Sequence, residues 1–374
     1  MKILQLVTSR KSRGAEISAF LLSQELVNLG HEVSWIGLYS VNPSEELFLR
    51  DSENIDLGGD PNKKIDLKLV RSLRKVIRAS YPDIIQANGS DTWKYAVLAL
   101  IGNKKPKLVY RNISIMSHWV GNRSWIKFIY QLLAKRVDYF CSVGEVANQD
   151  IRGLLNLPKD KCGVIRRGIP IESVESNTGR IFLESTFGIR LDDFVLVQVG
   201  RLSPEKNFEF SIRLIKELRN DYPNLKLIIV GEGPERPKLE QLVFDLGIQD
   251  SVLFLGYQKS YLSKILAGSD LMILPSLVEG VPGVVMEAMI NRVPVVAFDV
   301  GGVPELVKSG ETGWCVPSND SQAFIHAIQE VISLDNDSKQ KILDQAHHLV
   351  TIHYSLPQVT LQFEQFYKSL LDKN

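Results

Sequence analysis

Short, solidly apolar runs alternate with segments of helical period along the whole chain. In the first half the runs expected as strands are 3–7, 33–38, 83–86, 108–111, 139–143 and 164–166. In the second half they are 194–199, 225–230, 252–255, 271–274, 293–298 and 314–316. Such runs do not alternate polar with apolar, which means burial on both faces, the condition of a parallel sheet covered by helices on each side. Helical patterns lie between them, for example 15–29, ended by Gly30, a residue able to take the left-handed cap conformation. The pattern predicts an α/β chain of two Rossmann-like domains with parallel sheets. Periodicity lapses at 171–190, where Ser, Asn and Gly gather, so the linker is expected there and the domains at 1–172 and 190–355. A final helical pattern, 356–371, follows the second sheet, and the segment 356–374 is placed to cross back onto the first domain. No fixed-period repeat is visible, so the halves share architecture rather than sequence.

A length of 374 residues agrees with two domains, each able to bury a core. Hydrophobic content of 44% and charged content of 23% set aside disordered and fibrous classes. No apolar run approaches the roughly 18 residues of a transmembrane helix, and the opening MKILQLVTSR reads as a strand and turn rather than a secretory leader. A cytoplasmic location is expected. Cys141, Cys162 and Cys315 are odd in number and lie in strand-like surroundings, which suits buried thiols rather than disulfides or a metal site. Asn-x-Ser matches such as 122–124 would matter only in a secreted protein. The near-neutral total hides an asymmetry: residues 1–172 hold 26 Lys and Arg against 17 Asp and Glu, and the remainder hold 18 against 26. The basic half is the one expected to face an anionic partner.

Ligands of open parallel sheets bind beyond the carboxyl ends of the strands, so the residues just after each strand carry the candidate chemistry. After the first strand, VTSRKSRGAE reaches Gly14 and a helix start, where backbone N–H groups can approach an anion; a plain turn explains it equally well. After the strand 194–199, QVGRLSPEKNFEF delivers Arg201 and Lys206, two cations that can converge on one diphosphate. A solvated loop is the alternative. In PSLVEGVPGVVMEAM a helix is expected near Pro282 or Gly283, leaving Glu279 ahead of it and Glu287 one to two turns inside. An unpaired charge in so apolar a stretch is costly, so Glu287 needs a partner, whether ligand or salt bridge.

The segments GRLSPEKN, LIIVGEGPER, VLFLGY, SDLMILPS, the Glu279-x7-Glu287 pair and FDVGGVPELVKSGETGW occur between 198 and 316 in an order that resembles the retaining GT-B glycosyltransferases of family 4. VTSRKSRGAE and GVIRRGIP extend a looser likeness through the first half. The resemblance implies two domains facing across a cleft that closes on a nucleotide-sugar, UDP- or GDP-linked. It implies Arg201 and Lys206 on the donor diphosphate, Glu287 on the ribose hydroxyls and Glu279 at the transferred sugar. The backbone of Gly283 and Val284 would face sugar and phosphate, and Tyr257 would lie by the base. The acceptor would be a saccharide or a lipid-linked species, in cell-surface polysaccharide synthesis. Retention of configuration is likewise implied, with the leaving phosphate helping to deprotonate the acceptor. No Asp-x-Asp pair suited to a bridging cation is visible, so no metal or other cofactor is expected.

Where many relatives place a histidine at a strand end of the first domain, this chain has Asn88 and Asn112. Acceptor-side candidates are therefore Asn88, Arg111, Asn112 and His118. Residues 62–80 hold seven Lys and Arg and one acid; Lys64, Lys68, Arg71, Lys75 and Arg78 are expected on one stripe, with Ile65, Leu69, Leu73 and Val76 turned away. That stripe suits an anionic membrane surface at the inner face, or simply solvent. Trp119 and Trp125, beside Arg123 and Lys127, suit sugar stacking, a membrane interface or packing on the sheet. Nucleic acid is not an expected partner, since neither half carries a recognised binding signature. Alternatives to transfer are a nucleotide-sugar 2-epimerase of the same architecture and a non-catalytic nucleotide-sugar binder. An NAD-dependent oxidoreductase is disfavoured because no G-x-G-x-x-G occurs.

Overall fold

The computed structural model describes residues 1–11, 14–43, 46–103, 105–121 and 123–372. The chain divides into two units, Met1–Pro170 with Tyr354–Asn374, and Ile171–His353. In the first, seven parallel strands lie in the order β3-β2-β1-β4-β5-β6-β7. They are β1 Lys2–Ser9, β2 Glu32–Tyr39, β3 Glu53–Asp56, β4 Ile84–Asn88, β5 Lys107–Asn112, β6 Tyr139–Ser142 and β7 Cys162–Val164. In the second, six parallel strands lie in the order β10-β9-β8-β11-β12-β13. These are β8 Phe194–Val199, β9 Leu225–Val230, β10 Val252–Gly256, β11 Leu271–Leu274, β12 Val295–Asp299 and β13 Trp314–Pro317.

In the first sheet the solid apolar runs are explained by two cores, one on each face. Successive side chains of a strand point to opposite faces, so in β1 Leu4 and Leu6 join one core while Ile3 and Val7 join the other. The helices Leu67–Ser80, Ser90–Ala99 and Glu145–Leu155 cover the first core, where Trp93 meets Tyr110, Tyr130 and Phe140 edge-on. The helices Gly14–Asn28 and Leu356–Asp372 cover the second. The last helix thus belongs to the first unit: Val359, Phe363 and Tyr367 are buried, and the Tyr367 hydroxyl donates to Gln86 Oε1 at 2.6 Å. The returning chain is zipped to the outgoing one, Ile169 N–H donating to Tyr354 O at 2.8 Å and Leu356 N–H to Ile169 O at 2.9 Å.

Four features depart from the pattern reading. β3, ENID, was not anticipated, because an edge strand with one face half exposed needs no apolar run. β7 lies at Cys162–Val164, two residues before the expected 164–166. The supposed linker contains the helix Ser176–Phe187, which buries Gly179 and Leu183 in the second unit. Its glycine marks a close helix crossing, since a Cβ on Gly179 would stand 2.4 Å from Gly268 N. Finally, the basic helix starts at Leu67, capped by the Asp66 carboxylate on the Lys68 and Leu69 amides. Lys68, Arg71, Lys75 and Arg78 are exposed on it and Leu69, Val70, Leu73 and Ile77 are buried, but Lys64 and Ile65 precede the helix and Ile65 is exposed. The three cysteines are free, Cys141 and Cys162 buried and Cys315 only partly. No helix among the described residues is long and apolar enough to cross a membrane.

The Gly179–Gly268 contact gives a test. On helix propensity alone Gly179→Ala would stabilise by about 1 kcal/mol. Overpacking against the Gly268 backbone should instead cost about 1–3 kcal/mol, read as a lower denaturation midpoint; a raised midpoint would show that the crossing yields.

Candidate functional site

In the second sheet the chain runs outward from the centre in both directions, from β8 through β9 to β10 and from β11 through β12 to β13. The β8/β11 boundary is thus a topological switch point, where the loops leaving two adjacent strand ends diverge and open a crevice. The loop after β8 holds Arg201 and Lys206, and the loop after β11 holds Glu279. The structure brings two of these together directly: Lys206 Nζ donates to Glu279 Oε1 at 2.5 Å, the carboxylate side chain being 8% exposed.

Three hydrogen bonds fix the two loops to each other and to the sheet. Gln198 Nε2 donates to Lys206 O at 2.8 Å, Asn207 Nδ2 to Pro275 O at 3.1 Å, and Leu277 N–H to Glu205 O at 2.8 Å. Asn207 also supplies the left-handed residue, φ 55°, that turns the chain into the helix Phe208–Leu218. A third loop, after β12, lies on the Glu279 backbone. Gly302 N–H donates to Gly280 O at 2.7 Å, and Gly301 has φ 54° with any Cβ only 1.8 Å from Glu279 O. Only glycine fits there, and its fit holds Glu279 against Lys206.

The helix Gly283–Ile290 begins after Pro282, as the sequence suggests. Val284 and Glu287, three residues apart and so on one face, are half-buried while most of the remaining turn is buried. Arg201 is exposed and makes no ion pair among the described residues. Tyr257 is exposed after the edge strand β10, two strand places from β8, or about 10 Å at the usual spacing. The sequence reading missed Glu205. Partial burial opposes its charge, yet the Ser203 hydroxyl at 2.7 Å, a local amide and the Lys206 and Arg201 charges together hold its carboxyl below the usual range. Its position between two cations was the available signal, as the lone polar residue of an apolar strand was for Gln198.

The first-unit candidates fare differently. Gly14 opens the helix Gly14–Asn28, with open space where a Cβ would stand; Ser12 and Arg13 lie outside the described residues. Asn88 is buried and donates to Gln5 Oε1 at 3.0 Å and Leu6 O at 3.2 Å while accepting from Gln86 Nε2 at 3.0 Å. Asn112 is fully buried and donates to Ala147 O at 3.0 Å. Arg111, also buried, donates to the carbonyls of Ser142, Ile165 and Arg166 and lies over the Phe363 ring. It still edges a pocket shared with Arg166, Arg167 and Gln86. His118 is exposed on the short helix Met116–Val120 and does not join them in lining that pocket.

Two outcomes test this geometry. Gly301→Ala should displace Glu279 and lower stability, the steric cost being about 1–3 kcal/mol, seen as a reduced melting temperature. For Glu205, a carboxyl depressed in the fold stabilises above its unfolded pKa, about 4.3, and loses that contribution as pH falls through the folded value. Glu205→Gln should therefore lower the melting temperature at pH 7, by roughly 2 °C or less for a group only partly buried. The gap to wild type should close below about pH 4; a gap independent of pH would refute the charge argument.

Residues 181–348 match the model described as Glycosyl transferases group 1, and residues 12–173 the model described as Glycosyltransferase Family 4. An uncharacterized glycosyltransferase of Methanocaldococcus jannaschii is 30% identical over 237 residues, covering 62% of this chain and 60% of its own. The UDP-Gal:alpha-D-GlcNAc-diphosphoundecaprenol alpha-1,3-galactosyltransferase of Escherichia coli is 29% identical, covering 71% and 70%. The matched part spans about three fifths of the first curated relatives' own length, 60% and 59%. Among solved structures, Anabaena HepE with UDP and glucose superposes with a TM-score of 0.86 at 22% identity, covering 99% of this chain and 100% of that one. Two family models that between them account for both units, on a fold shared end to end with that structure, make this chain a member of the family 4 glycosyltransferases of GT-B architecture.

Proposed function

We propose that the protein is a retaining glycosyltransferase that moves a sugar from a nucleotide-sugar, UDP- or GDP-linked, to a saccharide or lipid-linked acceptor in polysaccharide or glycolipid synthesis. The observation that carries this reading is the Lys206–Glu279 pair at the β8/β11 switch point, with Arg201 on the same loop as Lys206. The similarity to a galactosyltransferase named for a UDP-linked donor and a diphosphoundecaprenol acceptor supports the substrate classes.

The chemistry follows from where charge develops. As the bond from the sugar C1 to the phosphate oxygen breaks, negative charge grows on the diphosphate, and Arg201 and Lys206 are the groups that stabilise it. The acceptor hydroxyl oxygen forms the new bond to C1, and its proton passes to the departing phosphate oxygen. Two fixed cations do the work a bridging metal would do, so the reaction runs without one. Glu279 holds the Lys206 ammonium in place and meets the sugar hydroxyls. Glu287 takes the ribose hydroxyls from the helix Gly283–Ile290, and the backbone at Gly283 and Val284 faces sugar and phosphate. Tyr257 lies toward the base. The first unit supplies the acceptor side, where Arg111 with Arg166 at the pocket edge is the better placed group and Asn88 and Asn112 act as supports.

A thermal-shift series with UDP-, GDP- and ADP-sugars tests the donor: a ligand at about 100 times its Kd adds about 2.7 kcal/mol of stability. The reading fails if none of the three raises the melting temperature. Lys206→Ala should lower kcat by about 10²–10³-fold while Glu287→Ala mainly raises the donor KM. Because Lys206→Ala also strands the Glu279 carboxylate, its stability should fall, and Lys206→Met with Glu279→Gln should restore stability but not turnover. Chelator should leave the rate unchanged.

A further inference from the structure

The helix Ser124–Ala134 is apolar on two faces. Ile126, Tyr130 and Leu133 pack against the first unit's core and Ala134 is buried, so one face is occupied. Trp125, Phe128, Ile129 and Leu132 follow the i, i+3, i+4, i+7 spacing of the other face and are 62%, 66%, 44% and 56% exposed. Trp119, in the preceding helix Met116–Val120, is 56% exposed. Arg123 joins the two helices by donating to the carbonyls of Trp119 and Val120. Scattered exposed apolar residues are ordinary, but a contiguous patch of this kind marks a docking surface.

Charge identifies the occupant. No Asp or Glu occurs between Asp91 and Asp138, while nine Lys and Arg do. Arg123 and Lys135 bracket the apolar stripe along the chain, and Lys127 lies off it on the helix's flank; none of the three forms an ion pair among the described residues. A second copy of the chain would set these cations against themselves across a two-fold contact. An anionic lipid surface accepts both parts at once: rings and aliphatic side chains enter the headgroup boundary while the Lys and Arg side chains reach outward to lipid phosphates. Tryptophan is especially suited to that boundary.

We infer that the Ser124–Ala134 helix, with Trp119, lies in the plane of an anionic bilayer and docks the first unit on it. The basic helix Leu67–Ser80 is not the insertion element: its core-facing residues Leu69, Val70, Leu73 and Ile77 are spent on the domain, which leaves it only long-range attraction to offer. The surface belongs to the first unit and the Lys206–Glu279 pair to the second, so docking and nucleotide binding are read by separate measurements.

The test is flotation of the full chain with vesicles of phosphatidylcholine alone and with about 30% phosphatidylglycerol, with tryptophan emission recorded. Wild type should float with the anionic vesicles, less so at high salt, and its emission should shift to the blue. Trp125→Ser with Phe128→Ser and Leu132→Ser should lower partitioning by roughly tenfold or more. These side chains are exposed, so the melting temperature and its shift with UDP should be retained, which separates lost docking from lost donor binding. Reversing Lys68, Arg71 and Lys75 to Glu should weaken vesicle binding less than the apolar triple change. Absence of wild-type binding to anionic vesicles, or equal binding by the triple variant, overturns the inference. So does a wild-type dimer that the triple variant converts to monomer without any vesicle binding, which would assign the patch to a second copy.

Discussion

A lysine ammonium and a glutamate carboxylate held in contact across the β8/β11 boundary are the interaction on which the second unit's site depends. Neither charge would be stable there alone, because a carboxylate so nearly buried loses most of its hydration and must be compensated. The contact is over-determined. Gln198 and Asn207 anchor the lysine loop, Glu205 O receives the Leu277 amide from the other loop, and Gly301 lets a third loop rest on the Glu279 backbone. The pair is therefore preorganised: its geometry is set by the protein before any ligand arrives.

The first unit solves a different problem. Its polar strand-end residues are each used internally: Asn88 bonds to Gln5 on β1, Asn112 to the Ala147 carbonyl in the helix Glu145–Leu155, and Arg111 to the loop before residue 170. This is the expected use of buried polar groups in a fully covered parallel sheet, where each must find a partner. Arg111 does more than this. It joins β5 to the ends of β6 and β7 and takes Phe363 of the final helix on its face, so it links the sheet to the segment that returns from the second unit. The zipper of Ile169 with Tyr354 and Leu356 completes that return.

The helices at the first unit's surface show how one composition serves two ends. On Leu67–Ser80 the charge faces outward and the apolar residues are used inside. On Ser124–Ala134 apolar residues occupy both faces, so half of them have no partner within the domain. Burial on folding explains the first arrangement completely and the second only in part.

The sequence by itself determined the α/β architecture and twelve of the thirteen strands, β7 two residues out of place, and it singled out candidate residues after the second unit's strands, because doubly buried strands and strand-end motifs leave their mark on consecutive residues. It also led to Lys206 and Glu279 individually. Only tertiary structure decided that they touch, since their separation along the chain is large and the switch point that unites them is a property of strand order. The same reason hid β3, an edge strand with little to bury, and the helix Ser176–Phe187, whose Gly179 looks like a linker residue until Gly268 is packed against it. It also hid the commitment of Asn88 and Asn112 to internal hydrogen bonds. Local pattern records what a residue needs; which neighbour meets that need is set by the crossing of distant segments.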